Sequence, residues 1–496
     1  MEILEHLLSG FQHLAGWLPL LIILIGVIVG ILAGAMPGLA PSTAVALLVP
    51  FSYTLSPTIA IILLVSIYIS ANYGGSITAV LINTPGTPAA AVTTLDGYPL
   101  AQKGQAGKAL GMALIASTIG GIIGVIILIL FTAPLAKLAI QFNASDYFAL
   151  ALFGLATVAS MSSENVLKAL IAILFGLLIK TVGIDPISGV TRFTFGFDYI
   201  YDGFNLIPAL IGLFALSTVF AKIEEGQLSE KSVQGISNKF PTFGEIWKTK
   251  LTVLRSSIIG TIIGVFPGAG ATIASFISYD IAKRSSKTPE AFGKGCLDGV
   301  AAAEGANSSS VGGALVPLLS LGIPGSATSA VLLGAFILHD LNPGPLLFQE
   351  KPDVVYSIFA SLIIANVIML FLGYFGNRFF IKCVSIPQKI LFPLIAVLSV
   401  IGSFSINNSL FDVGTCIGFG IIGWLFKRYK YPVPPIVLGI VLGKMVEENF
   451  RRAVLMEGYT AFISNKLSFI MIILAILSFA IPIYSQHKKN KTGKVQ

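Results

Sequence analysis

The residues of this sequence best suited to binding chemistry are small neutral polar side chains that stand beside Pro-Gly pairs in otherwise apolar segments. Hydroxyl and amide groups can donate hydrogen bonds to a carboxylate or offer oxygen atoms to a sodium ion, without the large cost of burying a charge. In the first half of the chain the candidates are Pro37, Gly38, Ser42, Asn72, Gly74, Gly75, Ser76, Asn83, Thr84, Pro85, Gly86 and Thr87. In the second half they are Pro267, Gly268, Gly270, Thr272, Glu304, Asn307, Ser308, Ser309, Gly312, Pro324, Gly325 and Ser326. This pattern predicts a binding site for a small polar solute.

Glu304 is the one acidic residue among these candidates, and no charged residue follows it before Asp340. An acid in an apolar segment can coordinate a cation or carry a proton, and it can also cap a helix or face a loop. The sequence leaves these roles open. Asp96 stands in an Asp-Gly-Tyr-Pro run, a composition typical of a turn.

Missing motifs exclude several kinds of chemistry. The sequence contains no Gly-x-x-x-x-Gly-Lys-Ser/Thr element, so direct use of ATP is not expected. Its histidines are terminal or isolated, and no Ser/His, paired-Asp or His-Glu-x-x-His arrangement lies within the apolar segments. The three cysteines form neither a disulfide framework nor a zinc pattern. We expect no catalytic residue, no cofactor and no metal centre.

The elements that must position the candidates follow from the composition. Of the 496 residues, 55% are hydrophobic and only 11% are charged, against roughly 25% charged residues in soluble domains. Segments of about 20 apolar residues recur along the chain, with shorter pieces between them that Gly or Pro interrupts. We predict an all-α polytopic membrane protein with about 10–12 transmembrane segments, some of them broken or re-entrant.

Charged residues cluster between the apolar segments and divide the chain. Residues 221–250 form the one sizeable polar linker, between a first membrane repeat at 1–220 and a second at 251–485, and a basic tail follows at 486–496. Because Lys and Arg favour the cytoplasmic side of a membrane, the linker and the tail are predicted to be cytoplasmic and the protein to reside in the cell membrane. The basic residues that give the net charge of +8 lie in the same clusters between apolar segments, so no nucleic-acid partner is expected.

The two halves share a pattern of Gly, Pro and small polar residues. Gly-Ile-Leu-Ala-Gly-Ala-Met-Pro-Gly at 30–38 matches Gly-Thr-Ile-Ile-Gly-Val-Phe-Pro-Gly at 260–268, an offset of 230 residues. Thr-Pro-Gly-Thr at 84–87 matches Ile-Pro-Gly-Ser at 323–326, an offset of 239 residues. Two matches in the same order indicate an internal duplication. The first half begins without Lys or Arg whereas the second follows the basic linker, which predicts two inverted repeats.

The Pro-Gly pairs are expected to break helices, since proline removes a hydrogen-bond donor and glycine adopts conformations that other residues avoid. A broken helix presents N–H groups, which favour anions, at one half-helix start and carbonyl groups, which favour cations, at the other end. Alternatively, small residues only let helices pack closely, the role that we assign to Gly30 and Gly34. For the paired elements we predict binding, with residues 83–87 and 307–310 facing each other at mid-membrane beside 324–326.

Three long stretches carry a resemblance to a known family. They are residues 73–99, which contain Asn-Thr-Pro-Gly-Thr-Pro; residues 264–272, Gly-Val-Phe-Pro-Gly-Ala-Gly-Ala-Thr; and residues 312–326, which end in Gly-Ile-Pro-Gly-Ser. They closely resemble the large membrane subunit of the tripartite tricarboxylate transporter family, and the resemblance covers about 26–348. At 302–308, where the family usually has Ala-Pro-Glu-x-Ala-Asn-Asn, this chain keeps the acid and the first amide but not the proline or the second amide.

The resemblance implies a partnership of three proteins: this large subunit, a small membrane subunit, and an extracytoplasmic solute-binding protein that delivers a carboxylate. It also implies secondary transport coupled to a sodium or proton gradient, and, by analogy with other inverted-repeat carboxylate carriers, an elevator mechanism. We therefore expect uptake of a small organic anion, a di- or tricarboxylate such as citrate. A channel, a carrier for another class of small solute, and a membrane scaffold without transport are the alternatives.

Overall fold

The computed structural model describes residues 2–36, 38–161, 166–225, 240–268, 270–384 and 388–492. The helices of the first half are α1 (Glu2–Leu14), α2 (Trp17–Gly34), α3 (Pro41–Ser52), α4 (Pro57–Ile82), α5 (Ala91–Gln102), α6 (Ala106–Ala139), α7 (Ala144–Met161), α8 (Val166–Lys180), α9 (Leu206–Ile211) and α10 (Ser217–Glu225). Those of the second half are α11 (Phe243–Lys248), α12 (Lys250–Val265), α13 (Gly270–Ser285), α14 (Leu297–Leu321), α15 (Ala327–Leu338), α16 (Pro345–Glu350), α17 (Pro352–Val384), α18 (Gln388–Asn407), α19 (Leu410–Arg428), α20 (Val433–Glu457), α21 (Ala461–Ser464) and α22 (Lys466–Thr492).

Short elements complete the fold. Single 3₁₀ turns occur at Pro88–Ala90, Asp198–Ile200 and Pro289–Ala291, and a π-helical turn at Gly212–Leu216 joins α9 to α10. In the described part of the chain the β-structure consists of two short antiparallel strands, β1 (Gly183–Ile184) and β2 (Thr191–Arg192). The predicted all-α fold class is therefore confirmed.

Helix length and composition fit a membrane protein. Among the described residues, 7 helices are long and apolar enough to cross a bilayer, and they include α2, α4, α6 and α17. Shorter apolar helices, such as α3 and α15, lie between them. Large apolar side chains such as Ile126, Leu130 and Phe131 on α6 are exposed, as expected for side chains that face lipid. The chain is a multi-pass membrane protein; the sides on which its linker and C-terminus lie stay a prediction.

The first half is built on a close parallel contact between α2 and α4. A methyl group added at Gly26 would lie 2.9 Å from the Leu63 carbonyl oxygen, and one added at Gly34 would lie 2.0 Å from that of Ala71. Contacts therefore advance along both helices in the same direction, at a backbone distance that only glycine permits. α3 runs back from the end of α2 to the start of α4.

The second half repeats this contact between α12 and α14. A methyl group at Gly260 would lie 2.4 Å from Ala306 O, and one at Gly264 would lie 2.5 Å from Ser310 O. Gly34 and Gly264 thus occupy equivalent close contacts, 230 residues apart. The close-packing role expected for Gly34 agrees with these distances.

The breaks between helices also recur at the expected offsets. Gly38 and Gly268, 230 residues apart, both have positive φ, at +93° and +82°. Asn83 ends α4 with φ 52° and Gly322 ends α14 with φ 71°, 239 residues later. Positive φ turns the chain sharply away from the helix axis, and glycine or asparagine tolerates it best.

Asp96 lies inside α5 and not in a turn, so that expectation was wrong. Its Oδ1 atom accepts hydrogen bonds from the N–H groups of Gly293 at 2.9 Å, and of Gly295 and Cys296 at 2.8 Å each. Its Oδ2 atom accepts one from the Tyr279 hydroxyl at 2.8 Å. These tertiary bonds, which the local sequence does not indicate, fasten the first half to the loop that precedes α14.

The predicted linker, 221–250, begins within α10 and ends at the start of α12. Its residues 226–239 lie outside the described part of the chain, while α11 occupies its end. The first part of the tail predicted at 486–496 is helical, because α22 continues to Thr492. Residues 493–496 lie outside the described residues. The domain boundaries stay predictions.

Candidate functional site

A cavity of about 710 Å³ lies where the broken elements of the two halves meet. The first turns of α3, α13 and α15 line it, together with the 3₁₀ turn at Pro88–Ala90. The end of α19 and the start of α20 contribute Lys427, Tyr431 and Val433. A volume of this size is typical of sites for small organic molecules, which range over roughly 300–1,000 Å³.

The structure brings part of the predicted set together around this cavity. The predicted residues that line it are Gly38, Ser42, Asn72, Thr87, Gly268, Gly270, Thr272 and Ser326. They come from both halves and from each of the paired breaks. Their role in binding is a prediction that the geometry leaves open to experiment.

The break residues Thr87 and Ser326 act as equivalent helix caps at the cavity wall. Thr87 Oγ1 accepts a hydrogen bond from Ala90 N at 3.4 Å, and Ser326 Oγ accepts one from Ser329 N at 3.1 Å. The hydroxyl group of Tyr68 on α4 lies 2.9 Å from Ser326 Oγ and so joins α4 to the start of α15. Hydroxyl groups at the cavity wall are thereby held in place by the backbone.

Helix starts give the cavity a positive electrostatic character. The first N–H groups of a helix have no partner within it, and the helix dipole adds partial positive charge at that end. α3, α13 and α15 all begin at the cavity, and the first residue of α3, Pro41, follows Ala40, which provides no side-chain cap. The arrangement suits an anion.

Lys427 adds a formal positive charge to the cavity. It is the one charged residue in the lining that the described residues form. Its Nζ atom donates a hydrogen bond to Thr218 Oγ1 at 2.7 Å, which leaves further donors of the ammonium group for another partner. Sequence reasoning missed Lys427 because it stands in a basic run, Lys427-Arg428-Tyr-Lys430, typical of a membrane boundary.

Glu304 lies away from the cavity lining, in a fully buried polar cluster. Thr93 Oγ1 donates to Glu304 Oε1, and Ser117 Oγ donates to Oε2 at 3.1 Å. Asn307 Nδ2 donates both to Glu304 Oε2 and to the main-chain oxygen of Asn72, at 3.3 Å each. The sequence analysis did not predict Thr93 and Ser117, because nothing in the residues around them indicates that they lie beside an acid of the other half.

The remaining predicted residues do not line the cavity. These are Gly74, Gly75, Ser76, Asn83, Thr84, Pro85, Gly86, Pro267, Glu304, Asn307, Ser308, Ser309, Gly312, Pro324 and Gly325. Pro37 lies outside the described residues. Several of the glycines are packing positions: a methyl group at Gly86 would lie 2.0 Å from Gly34 O, and one at Gly312 would lie 2.4 Å from Gly124 O.

The segments expected to face each other at mid-membrane lie in different surroundings. Asn83 is exposed at the end of α4, whereas Asn307 is fully buried and bonded to Asn72 and Glu304. Of the predicted residues at 83–87 and 324–326, those that line the cavity are Thr87 and Ser326. The main-chain oxygen of Asn72, on α4, therefore makes the contact with Asn307 that was expected of Asn83.

Comparison with known proteins identifies relatives over most of the chain. The family model described as "Tripartite tricarboxylate transporter TctA family" matches residues 20–438. An uncharacterized 52.8 kDa protein in the TAR-I ttuC' 3'region of Agrobacterium vitis is 37% identical over 470 residues, which cover 94% of each chain. An uncharacterized protein in the TAR-II ttuC' 3'region of the same organism is 38% identical over 227 residues, 44% of this chain and 94% of its own. No solved structure gives a significant match.

Proposed function

Because the chain belongs to the tripartite tricarboxylate transporter TctA family, we propose that it takes up a small organic anion, a di- or tricarboxylate such as citrate, by secondary active transport coupled to a cation gradient. It acts as the large permease subunit. A small membrane subunit accompanies it, and an extracytoplasmic solute-binding protein delivers the anion.

The observation that carries this proposal is the positive character of the cavity. Three helix starts and Lys427 surround it, and no Asp or Glu is among its described lining residues. Carboxylate groups accept hydrogen bonds from N–H, hydroxyl and ammonium donors, all of which this lining offers. A neutral or cationic solute would leave the ammonium group of Lys427 without a counter-charge.

The directions of the helices support the predicted inversion of the two repeats. α3 and α15 both start at the cavity, and their ends meet where Ser52 Oγ lies 3.0 Å from His339 Nε2. α3 runs opposite to α4. Where α4 and α14 meet, Asn72 O accepts a hydrogen bond from Asn307 Nδ2, and Ser76, one turn later in α4, lies beside Glu304, one turn earlier in α14. An antiparallel relation of α4 and α14 is what alternating access by inverted repeats, including an elevator motion, requires.

Transport by the complete three-component system tests the proposal. Membrane vesicles that contain all three subunits should accumulate labelled citrate when a sodium or a proton gradient is imposed, each gradient being applied alone. Internal unlabelled citrate should accelerate entry of the label, as expected for alternating access and not for a channel. Absence of gradient-driven accumulation of citrate and of related di- and tricarboxylates would refute the proposal.

The predicted pair of asparagines has its own test in the same assay. If Asn83, at the break that follows α4, and Asn307, within α14, both contribute to binding, replacing the two together by Ala should reduce citrate uptake. Unchanged uptake by this double variant would remove these two residues from the binding set while leaving the cavity assignment intact.

A further inference from the structure

A groove of about 390 Å³ lies along α19, between this helix, α8 and the loop before α9. Phe411, Gly414, Gly418 and Ile422 are spaced three or four residues apart and therefore form one face of α19. Thr415 is the one polar residue among the described residues that line the groove. Because α19 is long and apolar enough to cross a bilayer, this groove faces the apolar part of the membrane.

Two glycines leave the backbone of α19 uncovered in the groove. A methyl group added at Gly414 or at Gly418 would meet no described atom within 4 Å. Glycines of other spanning helices are packing positions: a methyl group at Gly74 of α4, for example, would lie 2.4 Å from Ile31 O of α2. Glycine stabilises a helix less than alanine does, and a Gly-x-x-x-Gly pair on an apolar helix is a typical contact for a second transmembrane helix. The open pair thus fits the close approach of a helix from another chain.

The hydroxyl group of Thr415, between the two glycines, has no hydrogen-bond partner among the described residues, although Thr415 is only 5% exposed. Threonines in other spanning helices bond to the carbonyl group four residues earlier, as Thr118 does to Leu114 O at 2.9 Å. Buried polar groups are normally hydrogen-bonded. A helix packed on the glycines would bring an acceptor oxygen close to Thr415, whereas the hydrocarbon chain of a lipid offers none.

Aromatic rings form the walls of the groove and hold its shape. The Phe204 ring stacks on that of Phe411, with 6.3 Å between centroids, and meets that of Phe419 edge-on at 5.5 Å. Tyr199 extends the stack beyond the groove, because its ring lies 5.8 Å from that of Phe411 and the residue is 75% exposed. A partner bound here therefore contacts both a spanning helix and the loop at its end.

We propose that this groove is the docking site for a transmembrane helix of the small membrane subunit. The identity of the partner rests on the proposed function, whereas the prediction of a helix rests on the open glycines and the Thr415 hydroxyl group. Residues of α8 and of the loop before α9 stand beside the glycines. The equally recessed α19 of a second copy of this chain would therefore not reach them, but a separate helix with small residues on one face would.

Co-purification of the small membrane subunit with the tagged full chain, after co-expression, tests the docking site. Gly414→Leu and Gly418→Leu fill the groove and should each reduce the retained small subunit by about tenfold or more, as overpacking of a contact does. Ile421→Phe is the matched control, because Ile421 is exposed on α19 but does not line the groove. The wild-type chain and this control should retain equal amounts of the small subunit.

Gly418→Ala separates the loss of the contact from a loss of the fold. In the chain purified alone the added methyl group has free space, so the temperature of thermal unfolding should not fall. In the co-expressed pair the same methyl group lies between two helices, and retention of the small subunit should fall. Retention that stays at the wild-type level in all three glycine variants would overturn the docking site.

A photoreactive amino acid in place of Ile422, which lines the groove, identifies the occupant in the complete three-component system. We expect an adduct with the small subunit; an adduct with a second copy of the chain, or with lipid alone, would overturn the proposal. A wild-type chain that retains no small subunit would refute this occupant and the partnership of three proteins together. A complex that assembles through the groove yet transports no carboxylate would instead refute only the transport function.

Discussion

The ammonium group of Lys427 stands in the cavity with one hydrogen-bond partner, Thr218 Oγ1 at 2.7 Å. The other lining residues offer dipoles and hydroxyl groups, which attract anions and water alike. A full charge discriminates more strongly, since a carboxylate gains a charge-assisted hydrogen bond there that a neutral solute cannot make. We therefore propose that Lys427 makes the cavity prefer anions to neutral solutes.

Replacing Lys427 by Met tests that assignment. The variant keeps most of the side-chain volume but loses the charge, so the KM for labelled citrate in vesicle uptake should rise by about tenfold to a hundredfold. Lys430→Met is the matched control, because Lys430 is exposed and does not line the cavity. Equal KM values for the two variants would show that Lys427 does not contact the anion.

Glu245 makes the attachment of the linker helix α11 sensitive to pH. Its carboxylate accepts a hydrogen bond from Lys108 at the start of α6, and this bond is the main cause that lowers the pKa of Glu245 from 4.5 to about 2. Because the pKa in the folded state is lowered, the stabilisation is complete above pH 4.5 and is lost as the pH falls toward about 2.

Fluorescence of Trp247, which lies on α11 and is 59% exposed, reports this attachment. In the wild type, acidification should change the Trp247 signal with a midpoint below pH 4.5. Glu245→Gln should abolish the transition, whereas Glu290→Gln, at an exposed acid elsewhere, should leave it intact. A transition that persists in Glu245→Gln would assign the pH dependence to another group.

Glycine contacts determine how closely the paired helices approach. At Gly34 an added methyl group would lie 2.0 Å from Ala71 O, whereas at Gly418 on α19 it would meet no atom within 4 Å. Gly34→Ala should therefore lower the free energy of unfolding by about 1–3 kcal/mol, as overpacking does. Gly418→Ala should leave it unchanged or raise it slightly, because alanine favours helix. Thermal unfolding in detergent measures the stability of both variants. Equal stability of the two would mean that α2 and α4 can move apart without a cost in free energy.

Asp96 fastens α5 to the loop before α14 through three backbone N–H groups and the Tyr279 hydroxyl. Asp96→Ala leaves these buried donors without an acceptor and should destabilise the protein by about 3 kcal/mol or more. Asp353→Ala, at an exposed acid in the first turn of α17, should cost only about 0.5 kcal/mol. Similar losses of stability in both variants would show that the hydrogen bonds of Asp96 do not hold the two halves together.

For the whole molecule, the sequence was informative where a property is local or repeated. Hydropathy predicted the all-α membrane fold, and the paired Pro-Gly motifs predicted breaks such as those at Gly38 and Gly268, because positive φ has a clear residue preference. The sequence could not show that Thr93 and Ser117 contact Glu304, or that Lys427 enters the cavity. Those contacts join segments distant in the chain, and nothing in their neighbouring residues marks them.

Asn72 connects the cavity with the buried polar cluster around Glu304. Asn72 is one of the residues that line the cavity, and its main-chain oxygen accepts a hydrogen bond from Asn307 Nδ2, which also donates to Glu304 Oε2. A displacement of the α4 backbone at Asn72 would therefore change the surroundings of Glu304, which belongs to the other half of the chain.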